Sequence, residues 1–164
     1  MKKSLVILGV AMMSFALVQN ASAQTSTQAL SLSVSKVYRL AITGAATINL
    51  GITAGVAGTD ALTPVSDATS TYAITQNNSA ATKITANLDA VMAKGKLEIL
   101  LASTKGTSAG TVDISNATSG SAVNVVTAIA LGAESAQGIT YTFSANASEG
   151  LFTASKTVTL TVVD

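Results

Sequence analysis

Leu30-Ser31-Leu32-Ser33-Val34-Ser35-Lys36-Val37-Tyr38-Arg39-Leu40-Ala41-Ile42 is the stretch whose reading decides the fold. Apolar side chains take the even positions Leu30, Leu32 and Val34, then Tyr38, Leu40 and Ile42, with serines and Arg39 between them. Successive side chains of a strand point to opposite faces, so a period of two over this length specifies a half-buried strand. Lys36 falls on the apolar face and interrupts it. The stretch therefore reads as one long strand or as two joined at a bend.

Downstream the same alternation recurs. It is carried by Ala46, Ile48 and Leu50, by residues 72–75, by Ile84, Ala86 and Leu88, and by Leu97, Ile99 and Leu101. It returns with Val112 and Ile114, with Ile139, Tyr141 and Phe143, and with Val158, Leu160 and Val162. Residues 123–131 are the most apolar stretch after the signal and carry no charge, which fits a strand buried on both faces or a short helix. Gly44 and the polar stretches 76–79, 103–110, 116–121 and 145–150 read as turns, with Leu151 and Phe152 anchoring the last of them. Residues 51–67 read as a long loop with at most a short edge strand around Pro64 and Val65, and residues 89–95 as a short helical turn. Abundant Thr, Val and Ser favours strands, because β-branched side chains suit a pleated surface better than a helix. The expected fold is all-β: an immunoglobulin-like β-sandwich of roughly seven to nine strands.

Upstream of that domain, Lys2 and Lys3 precede an apolar run over residues 5–18 broken only by Gly9 and Ser14, and Ala21-Ser22-Ala23 comes next. This is the pattern of a cleaved secretory signal peptide over residues 1–23. The run is shorter than the roughly 20 residues a membrane-spanning helix needs, and no cysteine stands after it for lipid attachment. The expected organisation is a signal peptide at 1–23, an N-terminal extension or first strand at 24–35, and a β-sandwich domain at 36–164. After cleavage no membrane span is expected, and the chain is expected outside the cytoplasm, at the bacterial cell surface.

Removing Lys2 and Lys3 from the nine basic residues leaves seven against eight acidic ones, a formal net charge of −1. Charges so balanced and scattered argue against nucleic acid or an anionic membrane as partner, since both need clustered Lys and Arg. The remaining 141 residues from Gln24 suffice for one domain with its own core. Cysteine is absent, so core packing, a bound ion or assembly with other subunits must supply the stability that disulfides often give exported domains.

Histidine, cysteine and tryptophan are all missing, which excludes Ser-His-Asp and Cys-His catalysis and leaves zinc or copper without their usual ligands. The eight acids Asp60, Asp67, Asp89, Glu98, Asp113, Glu134, Glu149 and Asp164 show no pairing by spacing, and read as solvated surface residues. A glycosidase-like site would need two of them facing each other about 5–10 Å apart in a cleft. Calcium is the one metal an oxygen-only loop accommodates. Asp60, Asp67 and Asp113 lie in or beside turns, without the clustered Asp-x-Asp of dedicated calcium loops. The glycine-rich pieces over residues 51–58 lack the Gly-Lys-Ser/Thr of a phosphate loop. Asn77, Asn116 and Asn146 each open an Asn-x-Ser/Thr triplet, which arises by chance in such a Ser/Thr-rich chain. Tyr38, Tyr72, Tyr141 and Phe143 read as core and not as a sugar-stacking platform. No cofactor and no enzymatic activity are expected.

An export signal leading at once into an alternating strand, in a cysteine-free domain that ends on another strand, resembles the pilin-like subunits of bacterial surface fibres. The ending Thr161-Val162-Val163-Asp164 has no penultimate aromatic, and this and the missing disulfide are departures from the chaperone-assembled branch. The resemblance implies that an N-terminal extension completes the sheet of the next copy, burying alternate apolar residues against an open edge. Here the candidate donor segment is 24–35, with Leu30, Leu32 and Val34 as inserted residues and copies of the same chain as partners in a homo-oligomer or filament. The competing reading of the residues makes 30–42 the first strand of its own sandwich. The alternative function is a monomeric adhesion module that binds a glycan or protein through its loops.

Overall fold

The computed structural model describes residues 26–78 and 82–164. The chain divides into two compact units, Met1–Ser33 and Val34–Asp164. The signal peptide read over residues 1–23 lies outside the described residues, as do Gln24 and Thr25 of the extension. In the first unit, residues 26–33 are exposed and carry no secondary structure.

Among the described residues, the second unit's regular structure is all β apart from one 3-10 turn, Ala147–Glu149. In chain order its strands are β1 Tyr38–Thr43, β2 Val65–Gln76, β3 Thr82–Leu88, β4 Lys96–Leu101 and β5 Thr107–Ser108. Then come β6 Val112–Asp113, β7 Val123–Ile129, β8 Gly132–Ser144 and β9 Val158–Val163. They form two antiparallel sheets. One has the order β1-β2-β8-β4-β6 and the other β5-β7-β3-β9. Alternate residues of each turn toward a shared core: Tyr72, Ile74, Leu97, Ile99, Leu101 and Ile139 from the first sheet, and Ile84, Leu88, Val125, Val126 and Ile129 from the second. Two sheets that each present one apolar face bury both by packing them together, which is the β-sandwich arrangement.

Strict alternation fails at several register shifts, and those on β7 and β8 have local causes. Between Val126 and Ile129 the pairing of β7 with β3 shifts register, and Ala128 stands at φ 52°. A further shift on β7, where Ile84 opposes Val126 but Thr85 opposes Asn124, lets Val125 and Val126 both face inward, so this uncharged stretch still makes a strand. Another bulge lies on β8, where Tyr72 opposes Gln137 and Ile74 opposes Glu134. Two steps on β2 thus match three on β8, and Ala136 takes the left-handed φ of 54°. The extra residue reverses the parity of β8, so Glu134 turns into the core.

Elsewhere the structure departs from the sequence pattern where backbone partners run out. Of residues 30–42 only the part from Tyr38 onward enters a strand, Tyr38–Thr43. The alternation over residues 46–50 predicts another strand, yet they pair with nothing among the described residues. Their alternation survives as burial alone, with Ile48 and Leu50 partly buried against the core. Residues 89–95 form no helical turn, because their backbone groups bond elsewhere: Asp89 N donates to Thr157 O at 3.1 Å and Met92 N to Ser115 O at 2.7 Å. Pro64 and Val65 mark the start of β2, which runs 12 residues and includes the expected 72–75.

Candidate functional site

The donor candidates Leu30, Leu32 and Val34 are 76%, 90% and 86% exposed. None is paired in a sheet among the described residues. Residues 35–38, just beyond them, are firmly held. Asn77 acts as a piece of backbone beside residues 35–37: its Nδ2 donates to Ser35 O at 2.8 Å and its Oδ1 accepts from Val37 N at 2.6 Å. Lys36 pairs with Asp164, the residue after β9. The Tyr38 hydroxyl donates to the same carboxylate and accepts from Asn78 Nδ2. The Lys36 and Tyr38 hydrogen bonds hold the Asp164 carboxyl below its ordinary pKa.

This polar corner lies at one end of the sandwich, and the same end is closed from within by Glu134. That side chain is 7% exposed and is saturated with donors. Oε2 accepts from Thr104 N at 2.8 Å, Lys105 N at 3.0 Å and Thr104 Oγ1 at 3.1 Å. Oε1 accepts from Ser103 Oγ at 2.9 Å and the Tyr72 hydroxyl at 3.1 Å. Burial pushes its pKa up, but the Thr104 and Lys105 amides with Ser103 and Tyr72 outweigh that and hold it below the ordinary value. Burial raises the Tyr72 pKa, and the neighbouring Glu134 carboxylate adds to the shift. Gln76 acts in the same way nearby: its Nε2 donates to Ile129 O at 2.9 Å and Ala130 O at 2.7 Å, tying the end of β2 to the end of β7 in the other sheet. The signal for Glu134 is its bulge, which sequence periodicity does not encode.

The opposite end differs. There a hollow of about 460 Å³ opens near the start of β4 and the end of β8. Ile48, Leu50, Leu97, Phe143, Phe152 and Lys156 are among the residues that line it. Phe152 meets Phe143 edge-on, with ring centroids 6.1 Å apart and planes at 82°, and Lys94 Nζ stands 5.8 Å from the Phe152 ring centre. Gly95 permits this packing. At φ +69° it suits glycine, and a Cβ there would fall 2.6 Å from the Phe143 ring. Residues 48–52 and 152–156 both border the hollow, and neither takes part in a strand or a backbone hydrogen bond among the described residues.

The other acids serve as local clamps. Asp60 accepts from Ser148 N and Oγ, both at 2.8 Å. Glu149 accepts from Gly95 N at 2.7 Å and Asn146 N at 2.8 Å. Asp67 holds Thr69, and Asp89 accepts from Thr157 N at 3.1 Å. The calcium candidates are not brought together. Asp67 lies on β2 and Asp113 on β6, three strand spacings apart in one sheet, or on the order of 14 Å. Glu98 and Asp113 oppose each other across β4 and β6. Lys96 Nζ bonds Glu98 at 2.8 Å, and Asp113 accepts from Ser115 N at 2.8 Å. The pair sits at the sheet's edge strand, outside the hollow.

No family model matches the chain, and neither a curated protein nor a solved structure matches it.

Proposed function

We propose that the chain is an exported, non-enzymatic structural protein with an immunoglobulin-like sandwich. In this reading it is a self-assembling subunit of a bacterial surface fibre, joined to its neighbours by strand complementation through residues 24–35. One observation carries it. Leu30, Leu32 and Val34 repeat at strand spacing directly ahead of β1, yet all three are at least three-quarters exposed.

Magnitudes explain why such a segment needs a partner. Burying each of these side chains contributes roughly 1.5–3 kcal/mol. Ordering the backbone costs about 1–2 kcal/mol for every residue fixed. For a segment of some ten residues, side-chain burial alone does not offset the ordering, so paired main-chain groups must contribute as well. A sheet edge of another copy supplies both.

The test is the size of the exported chain. Purified from Gln24 onward and concentrated, it is expected to form oligomers or filaments visible by negative-stain microscopy, and deletion of residues 24–35 is expected to leave monomers. A full-length chain that stays monomeric at high concentration refutes the reading.

A further inference from the structure

Accepting that residues 24–35 join one copy to the next, we infer that they are received in the hollow bordered by residues 48–52 and 152–156 of a neighbouring copy. The receiving strip has the three properties that the energetics of the donor require. Leu97, Phe143 and Phe152 give its lining apolar surface. It has unpaired main chain along it, since residues 48–52 and 152–156 make no backbone hydrogen bond among the described residues. Its lining holds no carboxylate, which suits a donor segment without a single charged residue between Gln24 and Ser35. A strand laid against unpaired main chain can bond to it while its alternate side chains enter the hollow.

Chain length identifies the occupant as a second copy. Lys36 is fixed to Asp164 at the far end of β9, while the hollow lies before Val158, where β9 begins. Six strand residues separate the two points by about 20 Å. Val34, two residues from Lys36, reaches at most about 7 Å from it, and Leu32 about 14 Å. The three donor side chains therefore cannot enter the hollow of their own subunit together. Lys36, from which the donor segment leads, and the hollow lie at opposite ends of β9, so each copy gives at one end and receives at the other. This head-to-tail relation produces an open chain of subunits.

The absence of cysteine makes the test free of background. Full exported chains carrying Leu32→Cys are mixed under oxidising conditions with chains carrying Thr153→Cys, at the hollow, or Thr161→Cys, on the open edge of β9. The expected result is a disulfide-linked dimer with Thr153→Cys at least tenfold in excess over that with Thr161→Cys. Ala154→Trp, which places a bulky group on one wall of the hollow, is expected to reduce assembly at least tenfold while leaving the far-UV spectrum unchanged. Preferential linkage to Thr161→Cys, or normal assembly of a folded Ala154→Trp chain, overturns the assignment of the acceptor and leaves strand complementation standing. Failure of the unmodified chain to assemble at all overturns both.

Discussion

The two ends of the sandwich are built on opposite principles. At the end where β8 begins, the buried Glu134 and Gln76 take donors and acceptors from both sheets, and the Thr104, Lys105 and Gly106 amides of the turn are bound by side chains. At the end where β8 finishes, residues 48–52 and 152–156 border a hollow, and their main chain bonds to nothing among the described residues. A domain without disulfides can be made stable by closing one end with buried, fully paired polar groups. Leaving the other open forgoes stability that a neighbour can return.

Removing the closing carboxylate is the most severe way to break this contrast. Glu134→Ala removes the shared acceptor of the part-buried Thr104 and Lys105 amides, while the Tyr72 hydroxyl keeps Ala102 O at 2.7 Å. It is expected to cost about 3–5 kcal/mol in urea unfolding, and Glu134→Gln, which keeps one acceptor, about 1.5–3 kcal/mol. Truncation of the core tests the contrast from the apolar side. Leu101→Ala, where the side chain is fully buried, is expected to cost about 2–5 kcal/mol. Phe152→Ala at the hollow, only partly buried, is expected to cost about 1 kcal/mol. Equal losses at the two positions would show that the hollow end is as tightly packed as the core.

The pH dependence comes from the direction of the Glu134 shift. Its folded-state pKa is depressed, so its contribution is complete above the unfolded value of about 4.3 and is lost as pH falls through the lower folded value. Asp113 shifts the same way, its Ser115 hydrogen bonds overcoming the effect of burial. Melting temperature is therefore expected to fall steadily below about pH 4.5, and Glu134→Gln is expected to flatten that fall. The smallest effect concerns the bulge that aims Glu134. Ala136 occupies a left-handed conformation that costs a residue with a Cβ roughly 1–2 kcal/mol. Ala136→Gly is thus expected to stabilise by about 0.5 kcal/mol after the entropy of glycine is deducted.

Most of the strands are legible in the sequence because a period of two is a direct consequence of burying one face. Residues 82–88, 96–101 and 158–163 appear where the alternation puts them. The stretch from Val123 resolves into a strand through two register shifts, one at Ala128 and one between Asn124 and Val126 that allows adjacent valines to point inward. Periodicity misleads at residues 46–50 for a reason of the same kind. Alternation reports which side chains seek cover and says nothing about whether a main-chain partner exists. The candidate donor residues are visible as a pattern, whereas the hollow is not. It is assembled from Ile48, from Leu97 and from Phe143 with Phe152, three separate stretches of the chain. Glu134 reads in the sequence as one more surface acid, because a one-residue bulge that reverses strand parity leaves no compositional trace.

Amide hydrogen exchange tests the contrast between the two ends most directly. In the monomer, the Thr104 and Lys105 amides are expected to exchange slowly and those of residues 48–52 and 152–156 at nearly unstructured rates. On assembly both of the latter segments are expected to gain at least a hundredfold protection together. Protection of those segments already in the monomer, or assembly that leaves them unprotected, would contradict the account.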